Sequence, residues 1–163
     1  MPNRAETSEC MCVNDRRSRP SARALCWFAC ALLTLFALGC SGARSEQRRV
    51  EGDAYLEAGR VADALGAYEL ALTADAANAR AHLGRSRVFL AQGDAETAID
   101  AARQAYTLDP SLERAYQIEA TALLEEGRFD DALQTAQALE SVDAAAGVAL
   151  RAVVQRERDS LHE

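Results

Sequence analysis

The stretch AHLGRSRVFLAQGDAETAIDAARQAYTLDP, residues 81–110, places two amphipathic patterns on either side of one glycine. Ala81, His82, Leu83, Val88, Phe89 and Leu90 form the first pattern, and Ala95, Ala98, Ile99, Ala102 and Ala105 the second. Both spacings are helical rather than alternating. Gly93 falls just past the first pattern, where a helix commonly closes on a residue of positive φ. Asp94 then stands as an N-cap for the second helix. Asp109-Pro110 ends that helix, because proline disfavours helical geometry in the residue before it.

Outward from this stretch the pattern recurs every thirty-four residues. Gly59, Gly93 and Gly127 share one column, Ala64, Ala98 and Ala132 a second, and Asp75, Asp109 and Asp143 a third. Three columns in register mark an internal repeat of paired helices, with Asn78 and Asp143 as further caps. A small residue at a helix crossing lets backbones approach while a neighbouring ring fills the gap.

These units resemble the tetratricopeptide repeat family through Gly52, Tyr55, Gly59, Ala64, Tyr68 and Ala71 in the first and Phe89, Gly93, Ala98, Ala105 and Pro110 in the second. The third unit matches at Tyr116, Ala120, Gly127 and Ala132, with Leu139 in an alanine column. Arg48 and His82 stand where the family often has a large aromatic. The resemblance implies an all-α fold, a right-handed α-solenoid of three helix pairs plus a C-terminal capping helix. The expected division is 45–78, 79–112 and 113–146 for the repeats and 147–163 for the cap. The cap's apolar side is expected at Val148, Ala149, Ala152 and Val153, because a solenoid leaves an apolar end to be covered.

The family binds peptides on the concave face lined by the first helix of each unit. Carried over residue by residue, that face holds Arg49, Asp53 and Leu56, then Arg80, Leu83, Arg87 and Leu90, then Arg114, Gln117, Thr121 and Leu124. Four arginines there suit bidentate recognition of carboxylates. Ion pairs with nearby acids such as Asp53 and Glu57 are the competing reading. The carboxylate clamp of some relatives also uses asparagines, and those columns hold Asp53 and Gly84, which argues against recognition of a free peptide C-terminus.

The first forty residues read as an address. Arg16, Arg17, Arg19 and Arg23 precede an uncharged run, Ala24 to Gly39, in the order of an export signal, with Met11 as an alternative initiator. The run is shorter than the roughly 18 residues of a spanning helix. Its ending, Leu35-Phe36-Ala37-Leu38-Gly39-Cys40-Ser41, resembles the lipobox of bacterial lipoproteins, with Ala37 where leucine is usual. The resemblance makes Cys40 the lipidated N-terminus, 1–39 a signal peptide of lipoprotein type and 40–44 a short tether. Two or more acyl chains give stable anchoring where one does not. Ser41, in place of an aspartate, points to the outer membrane, facing the periplasm.

Chemistry is sparse. All five cysteines lie within the first forty residues, and the only histidines are His82 and His162. Neither a metal site nor a histidine-based triad is therefore expected, and no cofactor is implied. His82 reads as a packing residue, and Glu125, Glu126, Asp130 and Asp131 as a solvated turn. From Cys40 onward thirteen arginines oppose twenty-two acids, a balance of −9, which argues against nucleic acid as a partner. The sequence thus predicts a non-catalytic, membrane-anchored scaffold or assembly factor of the cell envelope. A non-catalytic accessory subunit of a cell-wall enzyme is the alternative.

Overall fold

The computed structural model describes residues 42–160. Residues 1–41, which include Cys40 and the expected signal peptide, and residues 161–163 lie outside the described residues. Within them the fold is all-α, with helices α1 (42–57), α2 (Val61–Ala74), α3 (Ala79–Gln92), α4 (Ala95–Leu108), α5 (Glu113–Glu125), α6 (Phe129–Glu140) and α7 (Ala144–Ser160).

Each glycine of the first column turns one helix into the next. Gly59, Gly93 and Gly127 have φ of 72°, 77° and 71°, a region that costs glycine little. The same pair of bonds closes every turn. In the second unit the Gly93 amide donates to Leu90 O at 3.0 Å and the Asp94 amide to Phe89 O at 3.0 Å, which satisfies two helix-end carbonyls. Asp94 also caps α4, accepting from the Thr97 amide. In the flanking units Arg60 and Arg128 hold that position and fold onto Asp63 and Asp131 instead.

The alanine column is the crossing point, with Ala64, Ala98 and Ala132 fully buried. The aspartate column shapes the turn between units. Asp75 and Asp109 each accept from the amide two residues on, at Ala77 and Ser111. Asp143 instead accepts from Ala146, three residues on, and so caps α7 directly. That change starts α7 at Ala144, ahead of the boundary expected at 147. At the other end α1 already includes residues 42–44, which the sequence reading gave to the tether.

The first helices of the pairs lie side by side. α3 touches α5 and α5 touches α7. α1 joins α3 through Asn78, at the α3 N-terminus, which donates to Ser45 Oγ at 2.8 Å.

The cap is rotated from its expected orientation. Gly147, Leu150 and Val154 face the bundle, while Val148 and Val153 are 59% and 46% exposed and Ala149 and Ala152 are also exposed. Gly147 decides this. A Cβ there would stand 2.4 Å from the Glu140 amide nitrogen, so α7 meets the end of α6 at its one residue without a side chain. Arg151 then reaches Glu140 at 2.7 Å and holds the rotation.

Candidate functional site

On α1, side chains 46, 49, 53 and 56 recur at i, i+3, i+7 and i+10. The same spacing puts 80, 83, 87 and 90 of α3, and 114, 117, 121 and 124 of α5, on one face of each helix.

The structure joins Arg49 and Arg87 at Asp53, and adds to them the hydroxyl of Tyr68. Tyr68 of α2 is fully buried, with its ring against Gly52 of α1 and Gly84 of α3. A Cβ at either glycine would come within 2.7 Å and 2.3 Å of the ring. The Tyr68 hydroxyl donates to Asp53 Oδ1 at 2.6 Å. Burial, and then the Asp53 carboxylate beside it, push the Tyr68 hydroxyl well above the usual phenol range. Asp53 also accepts from Arg49 and lies 3.6 Å from Arg87 Nη1.

Arg49 is shared with Glu46, to which it donates at 2.9 and 2.7 Å. That bond holds the Glu46 carboxyl below its usual range, with smaller help from Arg80. The expected internal partner Asp53 is therefore real, and the second acid is Glu46, not Glu57. Sequence reasoning missed Glu46 although it begins the same stripe, thirty-four residues before Arg80.

The remaining arginines differ. Arg80 and Arg114 stand in the first turns of α3 and α5, exposed, and form no ion pair among the described residues. Leu83 is half-buried. Leu56 packs against the cluster of Ala64, Tyr68 and Val88. Leu90 and Leu124 pack against that of Ala98, Ile99, Ala120 and Leu123. Gln117 and Thr121 are exposed, and the Thr121 hydroxyl donates to the Gln117 carbonyl of its own helix at 2.8 Å. The face thus holds a closed charge network over the first pair, two open guanidinium groups over the next two, and leucines at the far ends of the helices.

Elsewhere, His82 borders an open cavity of about 460 Å³ with Ala76, Arg103, Gln104, Thr107 and Leu108. Its Nε2 is 3.1 Å from Ala76 O, whose only role can be acceptor, so Nε2 carries the proton. Nδ1 is buried without a hydrogen-bond partner among the described residues. Burial holds the His82 pKa below its usual value. Glu119, 1% exposed, accepts from Arg103 Nε at 2.6 Å beside the stacked rings of Tyr106 and Tyr116. Among the described residues no group of three histidine, cysteine or acidic side chains is placed to hold a metal ion. No described helix is long and apolar enough to cross a membrane.

The tetratricopeptide repeat family model matches residues 49–113. No curated protein matches the chain. Solved structures do. The TPR domain of Arabidopsis OM64 superposes with a TM-score of 0.65 at 19% identity, over 71% of this chain and 98% of that one. The TPR2B domain of yeast Sti1, in complex with pHsp70, gives 0.64 at 24% identity over 71% and 98%. The second TPR of Spaghetti (RPAP3), bound to the HSP90 peptide SRMEEVD, gives 0.60 at 24% identity over 63% and 94%. At these identities the likeness concerns the fold.

Proposed function

We propose that this tetratricopeptide repeat protein is a lipid-anchored scaffold of the bacterial envelope that captures a segment of another protein on the face formed by α1, α3 and α5, and that it catalyses no reaction. The observation that carries the reading is the pair Arg80 and Arg114, exposed and without ion-pair partners among the described residues in an otherwise acidic body. Guanidinium forks left open on a concave face favour carboxylate-bearing partners. Two of the similar structures hold partner peptides or proteins, as their descriptions state, and this chain has the same fold. The anchor rests on the lipobox-like ending at Cys40 and would place the scaffold on the outer membrane, facing the periplasm.

Partner capture from membranes tests the face. Arg80→Glu with Arg114→Glu is expected to release a partner that wild type retains, with thermal melting little changed, because exposed side chains contribute little to folding. Arg87 is a poorer probe than its central position suggests, since its partner Asp53 also ties Tyr68. A partner retained by the double variant and lost on altering the exposed second helices moves the site elsewhere. Cys40→Ser is expected to leave an unprocessed precursor. Processing of that variant to the wild-type mature size refutes the lipid anchor.

A further inference from the structure

The two ends of the helix stack are finished differently. α7 closes one end, whereas no described helix precedes α1 at the other. The repeat shows which residues face that open end. Gly84 is the residue of α3 that receives the Tyr68 ring of the preceding pair, and Val50 stands one period before it. His82 and Gln104 border a cavity together with Ala76, from the turn that precedes α3, and Arg48 and Leu70 stand one period before them. With no described pair ahead of α1, these positions of the first unit lie open. Val50 is 51% exposed and Leu70 54%, and they are the large apolar side chains left uncovered on α1 and α2.

The occupant follows from the position of Cys40. α1 is already helical at residue 42, two residues after Cys40, so that cysteine lies within about 7 Å of the start of α1. Val50 follows eight residues on, a rise of about 12 Å. A lipid at Cys40 therefore holds the open end beside the bilayer, and at that effective concentration a contact too weak to bind a free protein is still populated. Apolar side chains gain by entering the boundary between headgroups and acyl chains. Charge does not oppose them there. Beside Val50 and Leu70, Arg44 and Arg48 offset Glu51 and Glu69, whereas the chain from Cys40 onward carries −9. Arg44 is exposed and forms no ion pair among the described residues, which leaves its guanidinium for a lipid phosphate. α7 also exposes Val148 and Val153, but three helix pairs separate them from residue 42.

Resting on the anchor proposed above, we infer that the open end of the first pair is a membrane-contact surface, with Val50 and Leu70 in the lipid interface around the anchor and Arg44 and Arg48 at the phosphates. The stack then stands with α1 and α2 on the bilayer and α7 outermost. The face of α1, α3 and α5 opens sideways, so a partner reaches it along the membrane plane.

The other four cysteines lie within residues 1–39, so in the processed, lipidated chain an introduced cysteine is the one free thiol. The test reconstitutes that protein in vesicles of phosphatidylethanolamine and phosphatidylglycerol, with a fluorophore on Thr73→Cys or on Val148→Cys. Thr73 is exposed on α2 three residues from Leu70, and Val148 is exposed on α7 at the far end. Nitroxide-bearing lipid is expected to quench the label at 73 at least threefold more than the label at 148. Val50→Asp with Leu70→Asp is expected to abolish that difference while the protein stays on the vesicles, because the anchor still holds it. Equal quenching at the two positions, or a difference that the double variant keeps, overturns the inference. Shielding at 73 that grows with protein density and resists the lipid quencher identifies a second copy as the cover and overturns it as well. The anchor is read separately. A chain that never enters the membrane fraction refutes the lipidation reading and this inference with it, whereas a chain that is anchored but unquenched at 73 refutes the contact surface alone.

Discussion

Around α1, α2 and α3 the large, fully buried side chains are Tyr68 and Val88, and Tyr68 is tied by its hydroxyl to a charged network on the groove face. Around α4 to α7 the buried set is mainly aliphatic, with Ile99, Leu123, Leu139 and Val154 packed among alanines, and the buried Glu119, paired with Arg103, stands away from positions 114, 117, 121 and 124. One thirty-four-residue period therefore holds its helix pairs in two ways. In the first, Asp53 takes up Arg49 and Arg87 while Arg80, in the first turn of α3, forms no ion pair among the described residues. In the second, the guanidinium of Arg114 forms no ion pair among the described residues.

The comparison can be broken most directly in the aliphatic half. Leu123→Ala removes a fully buried side chain from the cluster bordered by Leu90 and Leu124, and is expected to lower stability by about 2–5 kcal/mol. Denaturant midpoints measure it, and a loss below 1 kcal/mol, on the order of a surface change, would mean the aliphatic cluster does not hold these helices. A smaller effect is expected in the polar half. Tyr68→Phe keeps the ring between Gly52 and Gly84 and deletes only the bond to Asp53, for a loss of about 1 kcal/mol. The variant sharpens the contrast if it also raises affinity for a free peptide C-terminus, because Asp53 is then less firmly held. Unchanged stability and unchanged peptide preference together would show that the hydroxyl bond decides neither.

The smallest effect concerns pH. The folded chain holds the pKa of His82 down through burial, whereas the unfolded chain takes up its proton near pH 6.5. The unfolded state thus binds more protons between the two values. The His82 contribution is full above about 6.5 and is lost as pH falls toward the lower folded value. Melting of wild type at pH 7.5 and pH 5.5 should differ more than that of His82→Phe. Equal differences in the two proteins would remove His82 from the acid response.

The repeat was legible because helix spacing and turn glycines are local. Gly59, Gly93 and Gly127 announce their turns in any context, since few other residues adopt their φ cheaply. The groove stripe was legible for the same reason, once the first helix of each unit was known. Less local features were not. Val148 and Val153 satisfy the amphipathic pattern of α7 as well as Val154 does, and only the contact of Gly147 with Glu140 turns one set inward.

What the sequence by itself determined is therefore the fold class, the turn positions and the residues sharing each helix face. All three follow from the 3.6-residue period and the conformational range of single residues. What only the tertiary structure decided is which of the four groove arginines remain open. Arg87 meets Asp53 because the Tyr68 ring, fitting between two glycines thirty-two residues apart in sequence, brings α1 and α3 together at that height, whereas Arg49 meets Asp53 and Glu46 within α1 at helical spacing. Ion pairing between helices depends on distances of a few ångströms set by packing, and no spacing within a single helix contains them.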